Sequence, residues 1–369
     1  MDERLRGLGA QGVEIVDPRQ TYVAPDVSLA RVCSGVVLHP GARLCGARTF
    51  LGPGAQVGAQ GPATLVDAVL GARAQVDAGY VEGAVLLDDA RVGWGAHVRP
   101  GTLLEEQAST AHCVGLKHTI LLSFVTLGSV INFCDALMAG GTSRKDHSEV
   151  GSGFIHFNFT PWGERGDKAT PSMAGDVVHG VFLRQQRIFL GGAGGMVGPL
   201  SVGYGSVTAA GQVTRRPVGE QRLVYQDMRR LDRSFARGAV DKLEPRRTRN
   251  IDYIRQLVAL RAWYRHVRLA RVPQGAEHDP ARMVLEAALE TLTLCIDERV
   301  KRLWAFVRER EGTLAALTLD PEVPACPLPV DDAAPGVDHI AWVEGLSAAQ
   351  VEAGVAWLGR IAEAVAPSS

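Results

Sequence analysis

The sequence predicts a mainly β chain, in which residues 23–218 wind as a parallel β-helix of hexapeptide repeats and an α-helical C-terminal region follows. Three observations carry this. Aliphatic residues recur at intervals of six, the 369 residues include 42 glycines, and beyond Pro217 the composition changes to Arg, Leu, Ala and Glu at helical spacing. A chain this long is expected to divide into about two or three domains.

The N-terminal segment, 1–22, opens Met-Asp-Glu-Arg-Leu-Arg without an apolar run of secretory type, so a cytoplasmic chain is expected. The repeat follows: Leu38 and Leu44, Leu51 and Val57 after a one-residue slip, Leu70 and Val76, then Leu86, Val92, Val98 and Leu104. Small residues often come next, as in Leu51-Gly-Pro-Gly-Ala-Gln-Val57-Gly. Each hexad suits one short strand with its aliphatic side chain inward and one tight corner, where glycine accepts positive φ at little steric cost. Three hexads close a triangular coil, and stacked coils satisfy one another's backbone hydrogen bonds. Neither the helical period near 3.6 nor the strand period of 2 describes six.

The repeat fades between about 105 and 187 and returns from Met196 to Gly211. Loops are expected to interrupt the solenoid there and to carry its function. Residues 188–214 lack charge and are long enough to span a bilayer, but many glycines and Pro199 break them, so a buried soluble segment is expected and no membrane insertion.

A helical domain is expected over 219–312. One apolar face comes from Ile251, Ile254, Leu257, Val258 and Leu260; another runs from Leu285 to Val307. Asp279-Pro280 predicts a helix start, with Asp as N-cap and Pro at the first helical position. Residues 313–338, holding five prolines, read as a linker. The last segment, 339–369, holds a helix opening at Ser347, whose Gln350 completes a capping box.

Lys plus Arg number 39 against 40 Asp plus Glu, which gives no reason to expect nucleic acid or an anionic membrane as the main partner. Residues 220–272 hold 14 Lys or Arg and 6 Asp or Glu, which a solvated helical face explains more simply than an acidic partner. The helical tail is alternatively a cap over the last open edge of the solenoid. Six scattered cysteines without a Cys-x-x-Cys pair read as reduced fillers. His112, Cys113, Cys134, Asp135, Asp146 and His147 match no closed zinc spacing, so no metal is expected.

Val98-Arg-Pro-Gly101 with Leu103-Leu104-Glu105, and Pro199 to Gly211, resemble coils of the C-terminal acetyltransferase domain of the bifunctional N-acetylglucosamine-1-phosphate uridyltransferase. The resemblance covers residues 97–218, about a third of the chain, and implies left-handed winding. It also implies a hexapeptide-repeat transferase acting on a sugar phosphate or nucleotide sugar, with acetyl-CoA or another acyl-CoA as co-substrate. By the same spacing, Arg99 and Lys117 fall where the family binds the sugar phosphate. Phe157-Asn158-Phe159 matches its Cys-Asn-Tyr, so Asn158 would orient the acceptor, although the Tyr hydroxyl is absent at Phe159. Lys168 stands near a further basic ligand of the family. Gly191, Gly192, Ala209 and Ala210 would border the CoA groove, where close backbone approach favours small residues. Surface cations and a tight turn are the plainer readings of these two sets.

The main departure is Ser129, which stands where the family has its catalytic His, and a serine needs a neighbouring base to act in its place. His147 is the candidate replacement as catalytic residue, with a structural role open; His118 and His156 are equally ambiguous. Nothing in residues 1–100 resembles the family's uridyltransferase half. The alternative is a non-catalytic sugar-nucleotide-binding or scaffold protein that has lost its base. The resemblance and the flat faces of a triangular solenoid also imply a homotrimer. Thr119 to Cys134 holds more aliphatic residues than one coil's interior should take, which suggests that some face a neighbour.

Overall fold

The computed structural model describes residues 3–155, 169–225, 232, 243–273, 279–309, 312–330 and 338–366. Helix α1, Glu3–Ala10, packs Leu5 and Leu8 onto the first coil and closes that end. From there short parallel strands stack into a β-solenoid. One side is an 11-stranded sheet running from Glu14–Ile15 to Leu223–Val224, so the pairing extends beyond 23–218 at both ends. The other two sides form a single 16-stranded sheet, because Val114–Leu121 and Ile131–Met138 pass through the corner between them.

The six-residue period is the inward row of each side. Leu51, Leu70, Leu86, Leu104 and Leu121 stack in register in successive coils and are fully buried. Leu38, Val57 and Val76 do the same in the 11-stranded sheet. Between 105 and 187 the ladder continues through Ser109–Thr110, Thr126–Leu127 and Glu149–Val150. The period is hidden there by insertions at corners: an antiparallel hairpin, Gly141–Ser143 with Asp146–His147, and the short helix α2, Val177–Gly180.

Helices α3 (Leu243–Trp263), α4 (Pro280–Arg308), α5 (His339–Glu344) and α6 (Ala348–Ala364) complete the described chain. Both predicted starts are present. Ser347 and Gln350 form the reciprocal capping box, and Asp279 Oδ1 accepts from Ala281 N at 2.8 Å and Arg282 N at 3.2 Å. Asp279→Ala is expected to cost about 1 kcal/mol of stability, read as a lower urea midpoint.

The helices lie along a flank of the solenoid. α4 packs across Val69–Leu70, Ala84–Leu86 and Thr102–Leu104, while α3 packs on α2, α4 and α6. Phe50, Val69, Val85, Leu103, Ile120 and Leu137 share the outward row of that flank, and all are buried. A sheet covered on both faces needs apolar residues in both rows. This accounts for the aliphatic excess after Thr119: Ile120 packs beneath the chain's own helices. The last coil is left uncovered by the described helices, with Leu223 and Tyr225 more than two thirds exposed.

The arginine-rich stretch is drawn inward more than a solvated face would be. Arg249 donates to Pro199 O, Arg255 to Val365 O and Arg261 to Asp320, while Arg268 reaches Glu105 and Glu106 inside the interface. The expected linker is docked as well. Over 312–330 it buries Leu314, Leu317 and Leu328, and Trp357 Nε1 donates to Pro324 O at 2.9 Å.

Candidate functional site

A cleft of about 1020 Å³ opens where α4 crosses the corner between the two sides of the 16-stranded sheet. Arg99, Lys117 and His118 line it from the solenoid, and Glu290, Asp297 and Glu298 from α4. Val98 pairs with Leu116, so Arg99 and Lys117 hold equivalent positions in adjacent coils, about 4.8 Å apart along the stack. Among the described residues neither cation has a carboxylate within salt-bridge distance. Arg99 Nη2 lies 3.6 Å from Cys134 Sγ, whose thiol burial pushes up to about 11, so it offers no thiolate as counter-ion. Two of the acids on α4 are already engaged: Glu290 pairs with Arg48, and Glu298 with Arg302 at 2.6 Å. A doubly charged oxyanion bridging Arg99 and Lys117 would therefore meet cations free of ion pairs, one a planar fork and one a point charge.

His118 turns this corner with φ of +45°, and its ring lies over Gly101, where a Cβ would come within 2.3 Å of Cδ2. Its Nδ1 sits 3.2 Å from Asp135 Oδ1 in the next coil, and Arg299 of α4 reaches the same oxygen at 2.6 Å. Cys295 Sγ donates to Gly101 O beside them, so the site and the docking of α4 share contacts.

The other expected site residues lie elsewhere. His147 ends the hairpin at the corner leading into the 11-stranded sheet; its Nδ1 is 2.9 Å from Arg144 O and its Nε2 3.8 Å from Glu149. Gly191, Gly192, Ala209 and Ala210 stack at the third corner, where the chain leaves that sheet. A Cβ on Gly191 would come within 2.5 Å of Ala209 C, so the tight coil stacking itself requires glycine. One chain thus brings Arg99 together with Lys117, and the two Gly with the two Ala, but it keeps these pairs and His147 at separate corners. Asn158 and Lys168, with His156, Phe157 and Phe159, fall outside the described residues.

Two pairings escaped the sequence reading. Ser129 Oγ lies 3.0 Å from His112 Nδ1, one coil earlier and 17 residues away, beside a groove of about 780 Å³ lined by His112, Trp94 and Arg91. His118 and Asp135 stand the same 17 residues apart. The signal lay in that spacing, which marks neighbours only once the local coil length is known. Among the described residues, no cluster of three or more His, Cys, Asp or Glu side chains forms that could hold a metal ion.

No family model matches the chain. Curated relatives do. The chain is 31% identical to the bifunctional protein GlmU of Nocardia farcinica over 207 residues, 56% of this chain and 36% of the relative. It is 29% identical to that of Mycolicibacterium vanbaalenii over 214 residues, 58% of this chain and 38% of the relative. With that of Cutibacterium acnes it shares 34% over 132 residues, covering 36% and 30% of the two chains. The chain therefore spans well under half the length of these relatives. Their similarity and the parallel solenoid together fit a hexapeptide-repeat, acetyltransferase-like domain. No described helix is long and apolar enough to cross a membrane.

Proposed function

We propose that this chain is a cytoplasmic, acyl-CoA-dependent transferase whose acceptor is a sugar phosphate or nucleotide sugar. The observation that carries the reading is the pair Arg99 and Lys117, stacked in one cleft without a carboxylate partner among the described residues. Asn158 would orient the acceptor and Lys168 add charge to its phosphate. Acyl-CoA would lie along the corner built from Gly191, Gly192, Ala209 and Ala210. The GlmU relatives support the transferase class, and the donor and acceptor are part of the proposal.

Calorimetry with acetyl-CoA and, separately, glucosamine 1-phosphate tests it. Heat is expected with each. Arg99→Ala and Lys117→Ala should each weaken the sugar phosphate by roughly 10- to 100-fold, the worth of a charge-assisted hydrogen bond, and leave acetyl-CoA binding unchanged. No heat from either ligand at millimolar concentration would overturn the reading.

Ser129 in place of the family's base favours a second reading, a non-catalytic binding or scaffold protein. Binding of both ligands without release of free thiol would select it. A homotrimer with a shared cleft belongs to the first reading, because one chain holds the corner of Gly191 and Ala209 apart from Arg99 and Lys117 and a neighbouring chain would bring donor and acceptor together. A molar mass of one chain by light scattering at micromolar concentration would remove the trimer.

A further inference from the structure

Transfer of an acyl group to an amine needs a group that takes up the amine's proton, held within hydrogen-bond reach of the reacting nitrogen. Of the described histidines considered above, His118 alone lines the cleft that holds Arg99 and Lys117. It directly follows Lys117, and its left-handed backbone lets both side chains face the same space, where successive residues of a strand would point apart. Asp135 Oδ1 faces Nδ1 at 3.2 Å, which fixes the tautomer with the proton on Nδ1, and Nε2 has no hydrogen-bond partner among the described residues. Arg299, nearly fully buried, braces Asp135 from α4. The result is a nucleophile site, a base and an orienting carboxylate in one place, the arrangement that proton-transfer catalysis requires.

We propose that His118, oriented by Asp135, is the base that accepts the acceptor's proton. This rests on the transferase reading above. The acceptor amine, with its phosphate on Arg99 and Lys117, attacks the thioester carbonyl carbon. A C–N bond forms, the C–S bond breaks, and the amine proton passes to His118 Nε2. That proton then goes to the departing thiolate, giving an amide and a free thiol. Asp135 is a positioning residue, and Arg299 couples that position to the docking of α4. His147, with its Nδ1 against a backbone carbonyl at another corner, has no part in the step.

The test is thiol release from acetyl-CoA with glucosamine 1-phosphate, comparing the full chain with His118→Asn. Asn tolerates positive φ, and its amide can still donate to Asp135, so the corner and the Arg299 contact survive. The expected result is a fall in kcat of roughly 10²- to 10⁴-fold with KM for the sugar phosphate within about threefold. Added imidazole, diffusing into the space left by the ring, should recover part of the lost rate. A kcat within about twofold of the parent overturns the assignment, as does a raised KM with kcat unchanged. So does a full loss in His112→Asn while His118→Asn still turns over, since the base would then be the one beside Ser129. Should His118→Asn fail to fold, His118→Gln is read by the same split of kcat against KM. Failure of the parent reading looks different: the unmutated chain then gives neither heat with the ligands nor thiol. Heat without thiol leaves the phosphate site standing and removes the base.

Discussion

Replacing Arg268 by Met is expected to destabilise the protein by about 3–5 kcal/mol, because it strands two carboxylates inside the interface between solenoid and helices. α3 ends in a π-helical turn, Tyr264–Arg268, which aims both named side chains at the corner holding Glu105 and Glu106. Tyr264 Oη donates to Glu105 Oε1 at 2.8 Å, Arg268 Nη1 lies 3.5 Å from the same oxygen, and Arg268 Nη2 pairs with Glu106. From below, Ser123 donates through its backbone N to Glu105 at 3.2 Å and through Oγ to Glu106 at 3.3 Å. A Met of similar length fills the space but supplies no charge. Burial pushes Glu105 up to about 7, with Arg268 opposing and Glu106 adding to the rise. A carboxyl raised in the folded state favours folding fully below its ordinary value of 4.5, and that contribution is lost as pH rises through 7. Without the cation Glu105 loses the charge that opposes its rise, so ionising it costs more and the gap between parent and Arg268→Met should widen from pH 5 to pH 8. Urea unfolding followed by circular dichroism at both values reads it. Equal midpoints at pH 8 would show that the pair does not bind the two halves together.

The difference between what was legible in the sequence and what was not follows from the range of each interaction. The hexad period reports a requirement repeated within every coil, an inward aliphatic side chain, so Leu51, Leu70, Leu86 and Leu104 announce the solenoid without knowledge of their neighbours. The helix starts at Asp279 and Ser347 are equally local, since a cap is satisfied within three residues. Register between coils is a different matter. Coil lengths change wherever a corner holds an insertion, so the pairing of His118 with Asp135, or of Ser129 with His112, waits on the fold. His147 lies in an inserted loop that, within one chain, leaves the solenoid at a different corner from Arg99 and Lys117. Arg99 is legible through the quoted motif at 98–105, and Lys117 through the ungapped spacing that follows it. What the motif could not convey is that helix α4, which begins only at Pro280, would form the opposite wall.

That wall also changes the meaning of the outward apolar row, and Leu103→Asp is expected to expose this most directly. Leu103 is fully buried where α4 crosses Thr102–Leu104, between Val85 and Ile120 in the adjoining coils. Truncation to Ala at such a site costs about 2–5 kcal/mol through lost transfer energy and the residual cavity. A carboxylate adds the desolvation of a charge, so Asp should cost more than Ala, and lifting α4 off the flank becomes the cheaper way to hydrate it. The inward row, with Leu104 and Leu86, is untouched by the change. The solenoid should therefore outlast the helical docking: the helical signal at 222 nm should fall at a lower urea concentration than the loss of solenoid structure, where the parent unfolds in one step. Because Val69, Val85 and Ile120 would then be bared together as one apolar face, the variant should also gain mass with concentration in light scattering. A single transition at the parent's midpoint would mean that α4 is not held by this row. Sugar phosphate binding completes the argument: if α4 walls the cleft as the geometry has it, Leu103→Asp weakens the ligand even though Arg99 and Lys117 remain on the solenoid.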